Sequence, residues 1–303
     1  MASAPSSIKI SIVIPAYNEE GYIGTCLDAI MTEIGARRDV EVIVVDNNSN
    51  DHTDAIIARY PNVILLREPR RGANRARQTG IEAAHGEFIA LPDADTKMPK
   101  GWLAKASGYL EADPHLACIS GPFIYFDLPR WTHYLVRFFY YIGFVLQMIM
   151  RALTGKSNVV QGGNYMVRRE ALMKAGGLNV NLTFYGDDTD LALRLSTVGK
   201  VKFTFKLPMP VSGRRLAKEG TFTMGIRYAM NNFWIVLFGR PFTLSAKEVR
   251  LSNGDGGSTI VYEPENRAKE VFIAVMAALF FVAVLAVIIV VAYYLVQFAR
   301  LLS

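Results

Sequence analysis

The segment Ser11-Ile12-Val13-Ile14-Pro15-Ala16-Tyr17-Asn18-Glu19-Glu20 decides the fold. It belongs to an apolar, β-rich run, Ile8 to Pro15, that breaks off into a polar turn carrying two carboxylates. Three more such runs follow, Val42 to Asp46, Val63 to Leu66 and Glu87 to Leu91, and the stretches between them are patterned as helices. Near-continuous Val/Ile runs alternating with helices predict an α/β fold with a mostly parallel central sheet covered on both faces. In such a sheet the ligand site lies beyond the carboxyl ends of the strands.

The residues that follow the strands are rich in charge. After the first come Asn18, Glu19 and Glu20; after the second Asp46-Asn47-Asn48-Ser49-Asn50-Asp51; after the third Arg67 and Arg70-Arg71-Gly72; after the fourth Pro92-Asp93-Ala94-Asp95. Asp, Asn and Ser after a strand are ordinary turn formers and helix caps. Their convergence on one edge of one sheet calls for more than that. Asp93 and Asp95, one residue apart, offer hard oxygen ligands for Mg²⁺ or Mn²⁺ against a diphosphate. Neither a Gly-x-x-x-x-Gly-Lys loop nor a Gly-x-Gly-x-x-Gly turn is present, so phosphates would be met by metal and arginine rather than by a glycine-rich cradle.

At 303 residues, 51% hydrophobic and 20% charged, the chain is enzyme-sized and excludes peptide-hormone and disulfide-framework classes. Cys26 and Cys118 and the four histidines lack the close spacing of a zinc site. From Val271 to Val296 there is no charge at all, enough to cross a bilayer once as a helix. The net charge is +6, and ten Lys or Arg between Lys200 and Arg250 face only Glu219 and Glu248. That basic segment suits anionic lipid head groups or a phosphorylated substrate. With a membrane anchor present and no recognised nucleic-acid motif, no nucleic-acid partner is expected. The stretch 131–153 is aromatic and flanked by arginines; Arg137 and Arg151 leave too few uncharged residues between them for a span. A helix lying in the membrane interface is expected there, with a buried core helix as the alternative.

Taken in order, the segment around Ser11 to Glu20, Val44-Val45-Asp46-Asn47-Asn48-Ser49, Ala76-Arg77-Gln78-Thr79-Gly80, Asp93-Ala94-Asp95 and Gly186-Asp187-Asp188-Thr189-Asp190 resemble the motifs of a family 2 inverting glycosyltransferase. The resemblance covers roughly residues 8–206 and implies a Rossmann-like A-type glycosyltransferase fold acting on a nucleotide-diphosphate sugar. By that resemblance Pro15, Ala16 and Glu19 line the nucleoside pocket, and Asp46 bonds the base, uracil by preference. Asp93 contacts ribose or sugar, Asp95 holds the metal, and Arg71 faces the nucleotide. Gly163 and Asn164, in Gln161-Gly162-Gly163-Asn164-Tyr165, lie beside the donor sugar. Arg214 and Arg215 either neutralise the leaving diphosphate or contact lipid.

Inversion by single displacement needs a base to take the proton of the acceptor hydroxyl. By the resemblance Asp188 stands at the position of the family's catalytic base, and Asp187 replaces the Glu more usual in the family before it; the plainer reading is that Gly186-Asp187-Asp188 caps a helix over Thr189 to Val198. A base favours a hydroxyl acceptor over an already anionic polyprenyl phosphate. The expected acceptor is therefore a lipid-linked or membrane-delivered saccharide or lipid hydroxyl. A processive synthase is disfavoured, because one span encloses no pore and Ser212-Gly213-Arg214-Arg215-Leu216 lacks Gln and Trp; partners in a membrane complex would have to supply a channel. An inactive nucleotide-sugar-binding scaffold is the alternative from another class, and nucleotidyl transfer the rival chemistry.

The expected organisation is a catalytic domain over 1–250, with a nucleotide-binding half at about 8–120 and an acceptor half over 121–250, then a linker over 251–270 and the membrane helix over 271–296. The catalytic domain should face the cytosol, where nucleotide sugars are found.

Overall fold

A computed structural model describes residues 8–154, 159–182, 186–220, 224–225 and 228 of the chain. At its centre is β1 (Ile10–Ala16), paired in parallel with β2 (Val40–Asp46) and β4 (Phe88–Ala90); β2 pairs in turn with β3 (Val63–Arg67). These are the four runs expected from the sequence. Along β1 and β2 successive residues alternate between two cores. Ile10, Ile12, Ile14, Val42 and Val44 face one core with Leu27 and Ile30 of helix α1 (Ile23–Ile34). Val13, Ile43 and Val45 face the other with Ala76 and Ile81 of α3 (Ala73–Ala83). The short α2 (Thr53–Ile57) joins the first core through Ile57. Gly80 lets α3 lie close: a Cβ there would sit 2.4 Å from Val13 Cγ1.

The far side of the sheet brings the second half of the site into place. Its order is β3-β2-β1-β4-β7-β5-β8, with β5 at Leu116–Ser120, β7 at Tyr165–Arg168 and β8 at Lys200–Phe203. Strand β7 runs antiparallel to both neighbours. Its amino end, and with it Gln161 to Asn164, therefore lies at the same edge as the carboxyl ends of β4 and β5. A two-stranded sheet of β6 (Phe123–Tyr125) and β9 (Met209–Val211) extends that edge. Helices α4 (Trp102–Ala112), α6 (Arg169–Lys174) and α7 (Asp187–Leu195) cover the sheet faces. The expected helix over Thr189 to Val198 begins two residues earlier, so Asp187 and Asp188 belong to its first turn rather than preceding it.

Residues 130–154 form one helix, α5 (Arg130–Thr154). Tyr140 and Phe144 pack it on Phe203 and Phe205. Trp131, Tyr134, Phe138, Tyr141, Val145 and Met148 are exposed, three and four residues apart, as one apolar stripe. The helix is thus not a buried core helix. Among the described residues no helix is long and apolar enough to cross a membrane. The linker over 251–270 and the membrane helix over 271–296 lie outside the described residues.

Candidate active site

The pairing of β1 with β2 ends with Ala16 beside Asp46, and that of β2 with β3 ends with Asp46 beside Arg67. The loops beyond are laced together by side chain to backbone bonds. Asn18, with φ 50°, donates its N–H to Ser49 Oγ (3.1 Å) and accepts from the N–H of Asn50 (3.0 Å). The N–H of Glu19 bonds Thr53 Oγ1 at 2.8 Å. Asp46 accepts from the N–H of Ser49 at 3.3 Å. Asn47 donates to the carbonyls of Glu68 and Arg70 and accepts from the N–H of Gly72. That grip sets the loop from which the Arg71 guanidinium lies 3.1 Å from the centre of the Tyr17 ring. Pro15, Ala16, Asp46 and Arg71 are thereby gathered at one end of the site.

Asp93 and Asp95 leave the end of β4 in different directions. Asp95 goes toward β9: its carbonyl accepts from the N–H of Ser212, and Thr96 bridges Val211. Asp127 holds the turn at Ser212 and Gly213, which starts helix α8 (Arg214–Glu219). Arg214 Nη2 then lies 3.0 Å from Asp95 Oδ2 and 2.6 Å from Glu19 Oε1, with its guanidinium 4.5 Å from the Tyr22 ring centre. Glu19, expected in the nucleoside pocket, is buried and committed to Arg214 instead. Arg215 pairs with Glu219 one turn along its own helix, so of the two arginines it is Arg214 that the fold brings to the carboxylates.

Among the described residues no group of three or more His, Cys, Asp or Glu side chains is placed to hold a metal ion. One aspartate is enough for Mg²⁺ or Mn²⁺ when phosphates and water complete the coordination. Asp95 offers a hard carboxylate oxygen for that use, and Arg214, 3.0 Å from its Oδ2, would share the carboxylate with the ion. A small cavity of about 120 Å³ adjoins it, lined by Tyr22, Thr25, Thr96 and Phe126 among others. A larger cleft of about 820 Å³ opens at the opposite, amino edge of the sheet beside Lys9, His85 and Arg168, away from Asp46, Asp93 and Asp95.

Asp93 goes the other way, accepting from Arg77 Nη2 at 2.6 Å. It packs on Gly163, where φ is 78° and a Cβ would come within 2.1 Å of Asp93 Oδ2. The N–H of Gly162 points at Asp188 Oδ2 (3.4 Å), and Asp188 Oδ1 takes the N–H of Thr189 at 2.9 Å. Asp187 Oδ2 lies 3.6 Å from Arg77 Nη1. Burial, followed by the charge of Asp188, pushes the Asp187 carboxyl up to about 7. Burial likewise raises Asp188, against the N–H groups of Gly162 and Thr189, which favour its ionised form.

Asn164 departs from expectation. Its side chain is fully buried, accepts from Trp102 Nε1 and donates to the carbonyls of Pro122 and Leu207. With all of these bonds made inside the fold, it is a strut beneath the Gly162–Gly163 turn rather than a donor contact. Conversely, the structure adds Arg77, Asn47 and Asn74. Arg77 lies in a helix whose sequence reads as polar surface, and only the burial of that helix face against β1 and β2 exposes its role.

A family model described as "Glycosyl transferase family 2" matches residues 11–176, more than half of the chain. Glycosyltransferase AglE of Haloferax volcanii is 30% identical over 183 residues, covering 59% of this chain and 58% of that protein. An uncharacterized protein of Mycobacterium tuberculosis is 30% identical over 240 residues, 74% of this chain and 72% of its own length. The chain spans less than two thirds of the length of AglE and much less of several other relatives. The mannosyltransferase PcManGT of Pyrobaculum calidifontis, solved with GDP-Man and Mn²⁺, shares the fold with a TM-score of 0.60 at 23% identity, over 76% of this chain and 64% of that one. Glucosyl-3-phosphoglycerate synthase of Mycobacterium tuberculosis, solved with Mn²⁺ and UDP, aligns with a TM-score of 0.53 at 21% identity, over 77% of this chain and 81% of that one. By the extent of the family match and the likeness of these relatives, the chain belongs to glycosyl transferase family 2.

Proposed function

We propose that the protein is an inverting glycosyltransferase that moves a sugar from a nucleoside-diphosphate donor, UDP-linked by preference, to a hydroxyl of a lipid-linked or membrane-proximal acceptor. The observation that carries this reading is the placement of Asp188, a carboxylate in a helix's first turn, beside the glycine turn that packs on Asp93. Donor-side and base-side carboxylates then flank one space, as a single displacement requires.

In this reading Asp46 and Arg71 orient the nucleoside and Asp93 orients the sugar. Asp95 would hold Mg²⁺ or Mn²⁺, which would supply positive charge against the diphosphate. Arg214 adds a second cation on that side. Asp188 takes the acceptor proton. The Mn²⁺ bound to two structural neighbours supports the use of a divalent metal. The choice of base is left to experiment, since one neighbour holds GDP-Man and another UDP.

The exposed stripe of α5 and the apolar stretch over 271–296 support a single-pass protein whose catalytic domain works against the cytosolic membrane face. The test is binding of a panel of UDP- and GDP-sugars with and without Mn²⁺, followed by release of nucleoside diphosphate on adding membrane lipids. Metal-dependent binding of one donor with lipid-stimulated release is expected. Binding without release under any acceptor would favour a scaffold, and release of pyrophosphate would mean nucleotidyl transfer.

A further inference from the structure

Arg77 is an enclosed cation of the site, its side chain 9% exposed like that of Arg214. Its Nη2 donates to Asp93 Oδ1 at 2.6 Å. Its Nη1 donates to Asn74 Oδ1 at 3.1 Å and lies 3.6 Å from Asp187 Oδ2. Asn74 is itself held, giving its amide to the carbonyls of Asn179 and Leu182. The two sides of the site are also joined through the Gly162–Gly163 turn between Asp93 and Asp188. That link is a glycine packing contact and a hydrogen bond of 3.4 Å; the guanidinium link is a 2.6 Å hydrogen bond to Asp93 and a 3.6 Å ion pair to Asp187.

We propose that Arg77 is a positioning residue of the transfer reaction, setting the Asp187–Asp188 turn against Asp93 so that one buried guanidinium fixes the base relative to the donor sugar. The proposal rests on the transferase reading of this site and adds what aligns its two halves. A planar fork can hold two carboxylates at once in fixed directions, whereas an ammonium on a flexible stem is a single point charge. The shorter Asp187, in place of the usual Glu, thereby becomes the handle by which Arg77 holds the first turn of α7. The charges agree. Asp93 and Asp187 flank this cation at 2.6 and 3.6 Å, and the buried Tyr165 adds to its field. Burial and mutual repulsion drive the aspartate pair toward its protonated form, and Arg77 opposes both.

The test uses the full chain and two variants, Arg77→Lys and the gentler Asp187→Asn, which releases the same link from its other end. UDP affinity, kcat and KM are measured across pH, and the aspartate carboxyls of the donor-free protein are titrated by ¹³C NMR. Expected for Arg77→Lys are unchanged UDP affinity, a kcat lower by about 100-fold, and an upper titration step of the Asp187–Asp188 pair raised by about one unit. Asp187→Asn should lower kcat with UDP affinity intact. A fall of UDP affinity and kcat in step with the melting temperature, or a pair whose titration Arg77→Lys leaves unmoved, would overturn the proposal. If Arg77→Lys fails to fold, an Asp187→Asn protein with full kcat overturns it equally. Should the wild type turn over no nucleotide sugar, the transferase reading falls by itself, while the NMR titration still decides whether Arg77 governs the pair.

Discussion

Arg214 reaches back 195 positions along the chain to place Nη2 2.6 Å from Glu19 Oε1, and both side chains are nearly sealed from solvent. Removing one member of such a pair strands the other charge, which costs about 3–5 kcal/mol. Arg214→Met should therefore destabilise the protein by that order in urea denaturation. Adding Glu19→Gln should recover part of the loss, because the stranded carboxylate is then neutral. A double variant no more stable than Arg214→Met would show that the pair is not what that arginine stabilises.

Asp95 and Asp188 should fail in different ways. Asp95→Ala is expected to abolish metal-stimulated donor binding. Asp188→Asn should bind donor normally and turn over more slowly by about 10²–10⁴-fold, the usual range for a lost general base. Isothermal titration of donor with and without Mn²⁺, beside a nucleoside diphosphate release assay, separates the two.

The aspartate pair sets opposite pH trends for activity and stability. A base acts only when ionised, so kcat should climb as pH rises through the raised titration of the Asp187–Asp188 pair and then level off. Raised carboxyls hold protons that the unfolded chain has already released. For Asp187 the resulting contribution to stability is present below the ordinary value of 3.8 and is lost as pH rises through about 7. In Asp187→Asn the stability profile over that interval should flatten, as read from melting temperature against pH.

Much of this arrangement is legible in the sequence, and the boundary between what is and what is not is physical. Four strands announce themselves as continuous apolar runs: β1, β4 and most of β2 are buried on both faces, and β3, at the sheet edge, keeps the apolar run although its residues are only partly covered. Strands β6 to β9 have three or four residues each, and β8, Lys-Val-Lys-Phe, shows only its alternation. Asp46, Asp93 and Asp95 are accessible because they follow strands. Asp188 needs the family resemblance, since a carboxylate in the first turn of a helix is commonplace. Arg77 and Asn164 lie beyond reach in opposite senses: a helical arginine looks solvated until its face is packed, and the partners of Asn164 come from segments about 40 to 60 positions away.

Glu68 should govern acid stability at the nucleoside end. Its carboxylate accepts from Arg70 and from Thr79 Oγ1, and the Arg70 bonds hold it down at about 2. The stabilisation is present above the ordinary value of 4.5 and is lost as pH falls through about 2. Glu68→Gln should melt lower at pH 7 and close the gap to wild type as the solution is acidified.

Gly163 has neither the backbone conformation nor the room for a side chain. Gly163→Ala adds a methyl 2.1 Å from Asp93 Oδ2 at a φ of 78°, at a cost of about 1–3 kcal/mol for the strained backbone alone. Asp93 must shift, so donor KM should rise, while Gly162→Ala, whose Cβ would meet only ordinary contacts with Asp188 at 3.7 Å, should disturb binding far less. Steady-state kinetics of the two variants side by side decide it.

The strands are not synthesised in the order in which they pair. β7 sits between β4 and β5, although both neighbours leave the ribosome well before it. Two open sheet edges must therefore wait during translation for Tyr165–Arg168 to emerge, with the whole of α5 made in between. The two sides of the sheet cannot mature one after the other, because the strand that joins them arrives late. A nascent chain of this protein carries its exposed edges for longer than the compactness of the finished sheet suggests, and that interval is when pairing with a second chain is easiest.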